Sequence, residues 1–557
     1  MAKLDTGFNQ LNFKDMDKLF VIAIGGTGMR CLESFVHLCA IGMFDNQEIE
    51  ILTLDTDQTN GNMGRVCDLI DNYNRIKTEH KSTTIGGTPN VNTFFSAKLN
   101  LHKFYTVYNS ERGITYRNIS KLGRGEEKEK RQNEILSELF LDKETVQEFH
   151  LDHGYRAQTH LGSHLMYHAI LESARKLASG NKQEIEEPEE NLEIFLSKLQ
   201  KAAGNAKVFV LGSVFGGTGA SSIPIIPKAL KDAIWIRSDE KETLDLTKVQ
   251  FGATLLTEYF SFKKPDQAQK KDKKNAVIAD HSFFPLNSQA ALQFYQNDPT
   301  VQNIYKKLYH IGWPLESKSV SNQTITGGKE QKNACHVVEL MCAAAAYDFF
   351  TGEKYSNAKA ECLFRNVQFN DTFDFDGKDF MGDTSGDIFT NKLGAFFSLA
   401  HIVLSYKEAS QGKMGVKSFI TQLNENHITQ YNTITDDETK EIDDYLKLFA
   451  YDFDKGNFVP GWLYQIYKSV TPGLFIFKKE AFKENWAELQ KLDVGELIKE
   501  PKHHWDKSGI FGSRYNTFVT ILTKSGEPND QQKVSTTKEK FLAHIYNGIT
   551  ISQKFNK

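Results

Sequence analysis

The chain has 557 residues, 40% of them hydrophobic and 25% charged, ordinary globular composition for roughly two to four domains with a sizeable core. Its net charge of −4 and pI near 6.5 exclude a global electrostatic footprint for nucleic acid or an anionic membrane. No run approaches the ~18–20 apolar residues of a membrane span, and "MAKLDTGFNQ" has no apolar leader core. The six cysteines (Cys31, Cys39, Cys67, Cys335, Cys342, Cys362) form no CxxC pair, so a soluble cytoplasmic protein with reduced thiols is expected.

In chain order, "KLFVIAI" is a continuous apolar run ending in Gly25-Gly26, the pattern of a strand buried on both faces. "MRCLESFVHLCAIGMF" then spaces Leu32, Phe35, Val36, Cys39 and Ala40 as a helix face, and "EIEILTLDTDQTN" is a second strand. This strand–turn–helix–strand unit predicts an α/β fold with a parallel sheet and ligands at the carboxyl ends of its strands. "GNMGRV" and "TTIGGTPNV" read as turns, and the charge run "RGEEKEKRQNE" as a solvated helix or insertion. "HLGSHLMYHAILESARKLA" is an amphipathic helix and "SGNKQEIEEPEEN" an acidic surface loop.

A second buried strand, "KVFVL", runs into Gly216-Gly217-Thr218-Gly219, with Ser221 or Ser222 suited to cap the following helix and Pro224 to its first turn. "VQFGATLLTEYF" is a further strand, "NSQAALQFYQ" a helix and "CHVVELMCAAAAYDFF" a buried helix. Beyond a soft boundary near residue 350, "LGAFFSLAHIVLSY", "FITQLNENHITQYN", "KEIDDYLKLFAYDF" and "AFKENWAELQKL" predict a mainly helical region.

A strand that ends in glycines and opens into a helix aims backbone N–H groups and the positive end of the helix dipole at one point, which suits phosphate. Glycine is required where a Cβ would hold the anion off or forbid positive φ. One such turn is as often a plain connection; two in one α/β domain favour phosphate. Neither continues into Gly-Lys-Ser/Thr, which excludes a strict P-loop. A dinucleotide site is the rival: Gly26-Thr27-Gly28-Met29-Arg30-Cys31 approximates Gly-x-Gly-x-x-Gly/Ala, and Asp55 ends the next strand where an acid would hold a ribose. That reading leaves the second turn unexplained. His160, His164 and His168 recur every four residues, but no zincin glutamate accompanies them, and an exposed or phosphate-adjacent role is preferred to metal.

The order of these parts resembles the tubulin/FtsZ superfamily of filament-forming GTPases, closest to its divergent bacterial tubulin-like branch, over about residues 18 to 375. "IGGTGMR" matches its first phosphate loop, "LDTDQT" the loop commonly reading Asn-Thr-Asp, "HGYRAQTHLGSHL" the loop facing the terminal phosphate, and "VFVLGSVFGGTGASSIPIIP" the signature loop. Within that last loop Phe215 replaces the first glycine, Ala220 a Thr/Ser and Ser221 the last glycine. The resemblance implies a nucleotide-binding domain over 1–330 with insertions near 103–150 and 180–205, a central helix over 331–350, and an α or α+β domain over 351–557.

It further implies that Gly25, Gly26, Thr27, Gly28, Gly216, Gly217, Thr218, Gly219, Ala220 and Ser221 cradle the phosphates of GTP or GDP. Asp55, Thr56 and Asp57 would hold phosphate or Mg²⁺, with Asp57 as the metal ligand, and Arg156 would sense the terminal phosphate. The asparagine that reads guanine after the preceding strand is replaced by Gly312 and Trp313 in "LYHIGWP", so Asn333, His336 or Glu339 would meet the base instead. Hydrolysis in the family is completed by a loop from the next subunit; here Asn366 to Asp371 supplies Gln368 in place of the first acid and Asp371 as the second. Glutamine orients water but accepts no proton at neutral pH, so hydrolysis should be slow. The implied partner is the protein itself, head-to-tail, with other proteins through the C-terminal region. The alternatives are a nucleotide-stabilised docking module that never polymerises and a Rossmann-type NAD-binding enzyme.

Overall fold

The computed structural model describes residues 17–44, 47–57, 60–77, 93–105, 159–262, 281–313, 333–352, 361–365, 377–406, 414–455, 457–470, 476–498, 514–525 and 534–551, with isolated positions among 131–139 and 319–331. "TTIGGTPNV" and almost all of the 103–150 charge run fall outside them.

The first half winds through β1 (Lys18–Ile24), α1 (Gly25–Ala40), β2 (Glu48–Asp55), α2 (Gly61–Ile76), β3 (Lys98–Tyr105), α3 (Thr159–Ser179), α4 (Glu187–Ala202) and β4 (Ala206–Leu211). There follow α5 (Gly217–Ser222), α6 (Ile226–Arg237), β5 (Gln250–Leu256), β6 (Phe260–Phe262), α7 (Phe284–Asn297), α8 (Pro299–Ile304), β7 (Tyr305–Ile311), β8 (Ser319–Ser321), α9 (Val337–Thr351) and β9 (Glu361–Arg365). Seven strands form one sheet in the order β3-β2-β1-β4-β5-β7-β9, and every pairing is parallel. The α/β class and the parallel sheet therefore stand, and the sheet runs on past residue 350, because α9 is the crossover that brings β9 beside β7.

The alternation within β1 shows how both faces are filled. Leu19, Val21 and Ala23 join one core with α1, α2 and α9, while Phe20, Ile22 and Ile24 join a second core with α3, α4 and α6, as period-2 strands between two helical layers must. On the first face α9 is buried all round apart from Asp348 and Thr351, which explains its unbroken apolar sequence.

The C-terminal residues form α10 (Gly377–Met381), α11 (Asp383–Leu404), α12 (Val416–Glu425), α13 (Asp436–Phe449), a hairpin of β10 (Tyr451–Asp454) and β11 (Asn457–Pro460), α14 (Trp462–Ser469), α15 (Trp486–Leu489), α16 (Val494–Leu497), α17 (Arg514–Ser525) and α18 (Thr537–Ile551). They are mainly helical with one hairpin, and they share the α1/α2/α9 core. Trp462 Nε1 donates to Ser34 Oγ at 3.0 Å, and the Lys538 ammonium donates to the Arg75 carbonyl at 2.7 Å.

Four local expectations need correction. "GNMGRV" is the first turn and a half of α2: the Asn60 side chain accepts from the Asn62 N–H at 2.9 Å, and Val66, Leu69, Ile70 and Tyr73 form the buried face, so an N-cap hides behind the glycines. "SGNKQEIEEPEEN" is a turn only to Glu186; from Glu187 it opens α4, whose acidic first turn complements the helix dipole. The stretch near 180–205 thus supplies a helix that packs Phe195 edge-on to Phe20 at 5.5 Å. Ser221 and Ser222 do not cap: α5 begins at Gly217 with Gly216 as N-cap, Ser221 Oγ donates back to the Thr218 carbonyl at 2.9 Å, and Pro227, not Pro224, occupies a helical first turn. Finally, "AFKENWAELQKL" divides into a 3₁₀ turn at Lys479–Phe482 and the short α15.

Candidate functional site

Strand order decides where a ligand fits. From β1 the chain moves outward to β2 and β3, then returns to place β4 on the other side of β1, so the β1/β4 boundary is the point where the winding reverses. In open parallel sheets the crevice beyond the carboxyl ends at such a point is where ligands bind. The two glycine turns end these two strands.

They also touch. Gly25 has φ +66°, which favours glycine, and a Cβ built on it would meet the Thr218 side chain at 3.1 Å. A Cβ on Gly28 would sit 2.6 Å from the Leu211 carbonyl oxygen, and one on Gly219 would sit 2.5 Å from that of Ser213. These two glycines are explained by close approach of helix to strand end. Gly26, Thr27, Gly216 and Thr218 are the half-buried members of the turns, while Gly25, Gly28, Gly217 and Gly219 are buried. The second turn is stitched to β5, where the Gly212 N–H donates to Thr254 Oγ1 at 3.0 Å and the Val214 N–H to the Leu256 carbonyl at 2.9 Å.

The departures from the signature loop point inward. Phe215 is buried among Tyr259, Phe260 and Phe284, with ring centroids at 6.2, 5.6 and 5.0 Å. Tyr295 OH donates to the Ala220 carbonyl at 2.5 Å, and Ser163 Oγ donates to the Ser221 carbonyl at 2.6 Å. Ala220 and Ser221 are both buried and serve to lock α5 onto α7 and α3.

At the end of β2, Asp55, Thr56 and Asp57 are all buried. Asp55 Oδ1 accepts the N–H groups of Thr56 (2.8 Å) and Asp57 (3.3 Å), whereas Asp55 Oδ2 and Thr56 Oγ1 are buried without a partner. Burial, and then the neighbouring Asp57 charge, push the Asp55 carboxyl up to about 7 despite its two backbone donors. The orphaned Asp55 and Thr56 oxygens suit a hydrated divalent cation, which takes one or two carboxylates and completes its shell with phosphate oxygens and water. Among the described residues no group of three His, Cys, Asp or Glu side chains is placed to hold a metal, so Mg²⁺ here would depend on a ligand's own oxygens.

Above the first turn lies a cluster of amides that the sequence reading overlooked apart from Asn333. Asn60 Nδ2 donates to Gln331 Oε1 at 2.9 Å and Asn62 Nδ2 to Asn333 Oδ1 at 3.4 Å. A Cβ on Gly26 would meet Asn60 Nδ2 at 3.1 Å and Gln331 Oε1 at 3.5 Å. Gln331 and residues 333–336 are thereby drawn across α2 and α1: Arg65 donates to the Asn333 carbonyl at 3.0 Å and pairs with Glu33, and Arg30 donates to the Ala334 carbonyl at 2.5 Å and pairs with Glu339. Glu339 is fully buried, accepts from Tyr259 OH at 2.5 Å and closes a capping box with His336 at the start of α9. Only the "QTNGN" run before α2, an asparagine in N-cap position, could have signalled part of this. Arg156, Gln368 and Asp371 lie outside the described residues.

Cys31, Cys39, Cys67, Cys335 and Cys342 are buried free thiols, and no described helix is long and apolar enough to cross a membrane. No protein-family model and no curated protein matches the chain.

Proposed function

We propose that the chain is a tubulin/FtsZ-like nucleotide-binding protein that grips the phosphates of GTP or GDP between its two glycine turns, hydrolyses GTP slowly and associates head-to-tail. The observation that supports this reading best is the close approach of Gly25 to the Thr218 side chain at the sheet's reversal point, which brings the two turns together where open parallel sheets bind ligands. Backbone N–H groups of Gly26, Thr27, Gly216 and Thr218 face the ligand in this reading. Gly25, Gly28 and Gly219 shape the turns, and Asp55, Thr56 and Asp57 hold Mg²⁺. The cation, when bound, offsets phosphate charge. Gln368 and Asp371 of a neighbouring subunit would orient the attacking water.

A second reading draws on the unpaired Asp55 Oδ2 at the end of β2, the position from which an acid holds the ribose of a dinucleotide. One measurement separates the two. Protein denatured after purification should release GDP or GTP, identified by chromatography, and GTP should raise light scattering or pelleting above the ATP and nucleotide-free controls. Released NAD(H) would replace the proposal with the dinucleotide reading, and bound GDP without assembly would leave a docking module. Asp371→Ala should retain nucleotide and slow turnover; unchanged turnover removes Asp371 from the mechanism.

A further inference from the structure

The residues just ahead of α9, Asn333 to His336, are neither helix nor strand. Cys335, His336 and Val337 are nevertheless buried, so their backbone groups need partners from other elements. These come from two sides. On the crevice side, Arg65 in α2 donates to the Asn333 carbonyl at 3.0 Å, Arg30 in α1 donates to the Ala334 carbonyl at 2.5 Å, and Asn62 Nδ2 donates to Asn333 Oδ1 at 3.4 Å. On the far side, the Cys335 N–H donates to Gln465 Oε1 at 2.8 Å and the Val337 N–H to Ser469 Oγ at 2.9 Å.

Gln465 and Ser469 stand one turn apart on α14, which is itself fixed to α1 by the Trp462–Ser34 hydrogen bond. The strap is therefore pinned between the crevice and a firm post. Its crevice end meets the first glycine turn, since a Cβ on Gly26 would lie 3.6 Å from Asn62 Nδ2. Asn62 Oδ1 is buried without a partner, an acceptor left for a ligand's hydroxyl or N–H. Asn333 holds the other end of that amide, so the position of the strap decides where the free oxygen points.

Resting on the phosphate reading above, we propose that Gln465 and Ser469 are positioning residues for the crevice. They hold the strap, the strap holds Asn333 against Asn62, and the C-terminal helices thereby set how tightly the first turn retains a nucleotide. Linkage makes the effect reciprocal, so a bound nucleotide also steadies the strap on α14. His336 and Glu339 cannot take over as pins, because each is committed to the other in the capping box of α9.

Calorimetric titration of the nucleotide-stripped protein with GDP tests this. Gln465→Met with Ser469→Ala removes both acceptors and should bind GDP at least about fivefold more weakly, the lower end of coupling between sites, at unchanged stoichiometry. Gln465→Glu with Ser469→Thr keeps both acceptors and should bind like the wild type. Both variants lose the Gln465 donor to the Pro460 carbonyl, so their difference reports the two acceptors. In the wild-type protein, GDP should also slow hydrogen exchange at the Cys335 and Val337 amides, a readout that serves if either variant does not fold. Equal GDP affinity in the two variants, tighter binding by the first, or exchange unmoved by GDP overturns the positioning role while the phosphate reading stands. Wild-type protein that binds neither GDP nor pyrophosphate overturns the phosphate reading itself.

Discussion

A Cβ on Gly219 would lie 2.5 Å from the Ser213 carbonyl oxygen and 2.9 Å from its nitrogen, backbone that cannot move aside, whereas on Gly26 it would meet the Asn60 amide at 3.1 Å. The two glycines therefore fail differently. Gly219→Ala should lower stability by about 1–3 kcal/mol, the range for overpacking, seen as a reduced urea midpoint. Gly26→Ala should keep the midpoint within about 1 kcal/mol, since alanine suits a helical position, and should lower the nucleotide recovered with the protein. If Gly26→Ala retains nucleotide at the wild-type level, the first turn does not approach a phosphate. Glycine identity alone did not separate these roles; the atoms beside each Cα did.

At the scale of elements, α9 is held to α1 by the Arg30–Glu339 pair, both side chains buried. Burial works most strongly against the Arg30 charge, but the Glu339 charge and hydrogen bond, with Tyr259 and Cys335, together outweigh it and raise the guanidinium pKa. Removing one partner strands a buried ion, which costs about 3–5 kcal/mol, while replacing both by apolar groups is often neutral. Glu339→Leu alone should therefore shift the urea midpoint strongly, and adding Arg30→Met should recover most of the loss. An additive double variant would show that the pair does not act as a unit. The segment ahead of α9 also reaches the C-terminal helices, because the Cys335 N–H donates to Gln465 Oε1 at 2.8 Å and the Val337 N–H to Ser469 Oγ at 2.9 Å. One short strap thus touches the crevice and α14 together.

Across the whole molecule, the seam between sheet and C-terminal helices encloses neutral histidines. Burial, then Arg65, pushes His37 down to about 3; burial, then Arg30, pushes His336 down to about 3; and burial pushes His401 down to about 4. His37 lies 3.2 Å from the Tyr445 hydroxyl and its ring centroid is 4.6 Å from that of Trp462, while His401 Nε2 lies 2.7 Å from the Leu492 carbonyl. Because each folded pKa is below the unfolded value near 6.5, the unfolded chain binds more protons in acid, and stability rises with pH across that window. Each histidine should cost on the order of 2 kcal/mol between pH 6.5 and pH 5. Urea unfolding at pH 7.5 and pH 5 should show that loss, and His37→Gln should shrink it. An unchanged pH dependence in the variant would mean that His37 is not buried neutral.

Local signals carried β1, β2, β4 and β5, the two glycine turns, the long apolar helix α9 and the α/β rhythm, because hydrophobic period and backbone freedom are written into a few consecutive residues; the more polar edge strands β3 and β9 escaped them. They misjudged α2, where Gly61 and Gly64 masked a capped helix, and the start of α4, where acidic residues that read as loop are a favourable first turn. Nothing in the string "GSVFGGTGASS" told which way Phe215 faces; the aromatic pocket of Tyr259, Phe260 and Phe284 did. Nor did it show that the turns after Ile24 and Leu211 meet. The sequence by itself determined that strands end in glycines and open into helices. Only the tertiary structure decided that β1 and β4 are neighbours, with β5 and then β7 following on the β4 side. It also joined Arg30 to Glu339 across more than three hundred residues, because parallel pairing and burial of charge depend on which distant segments exclude water together.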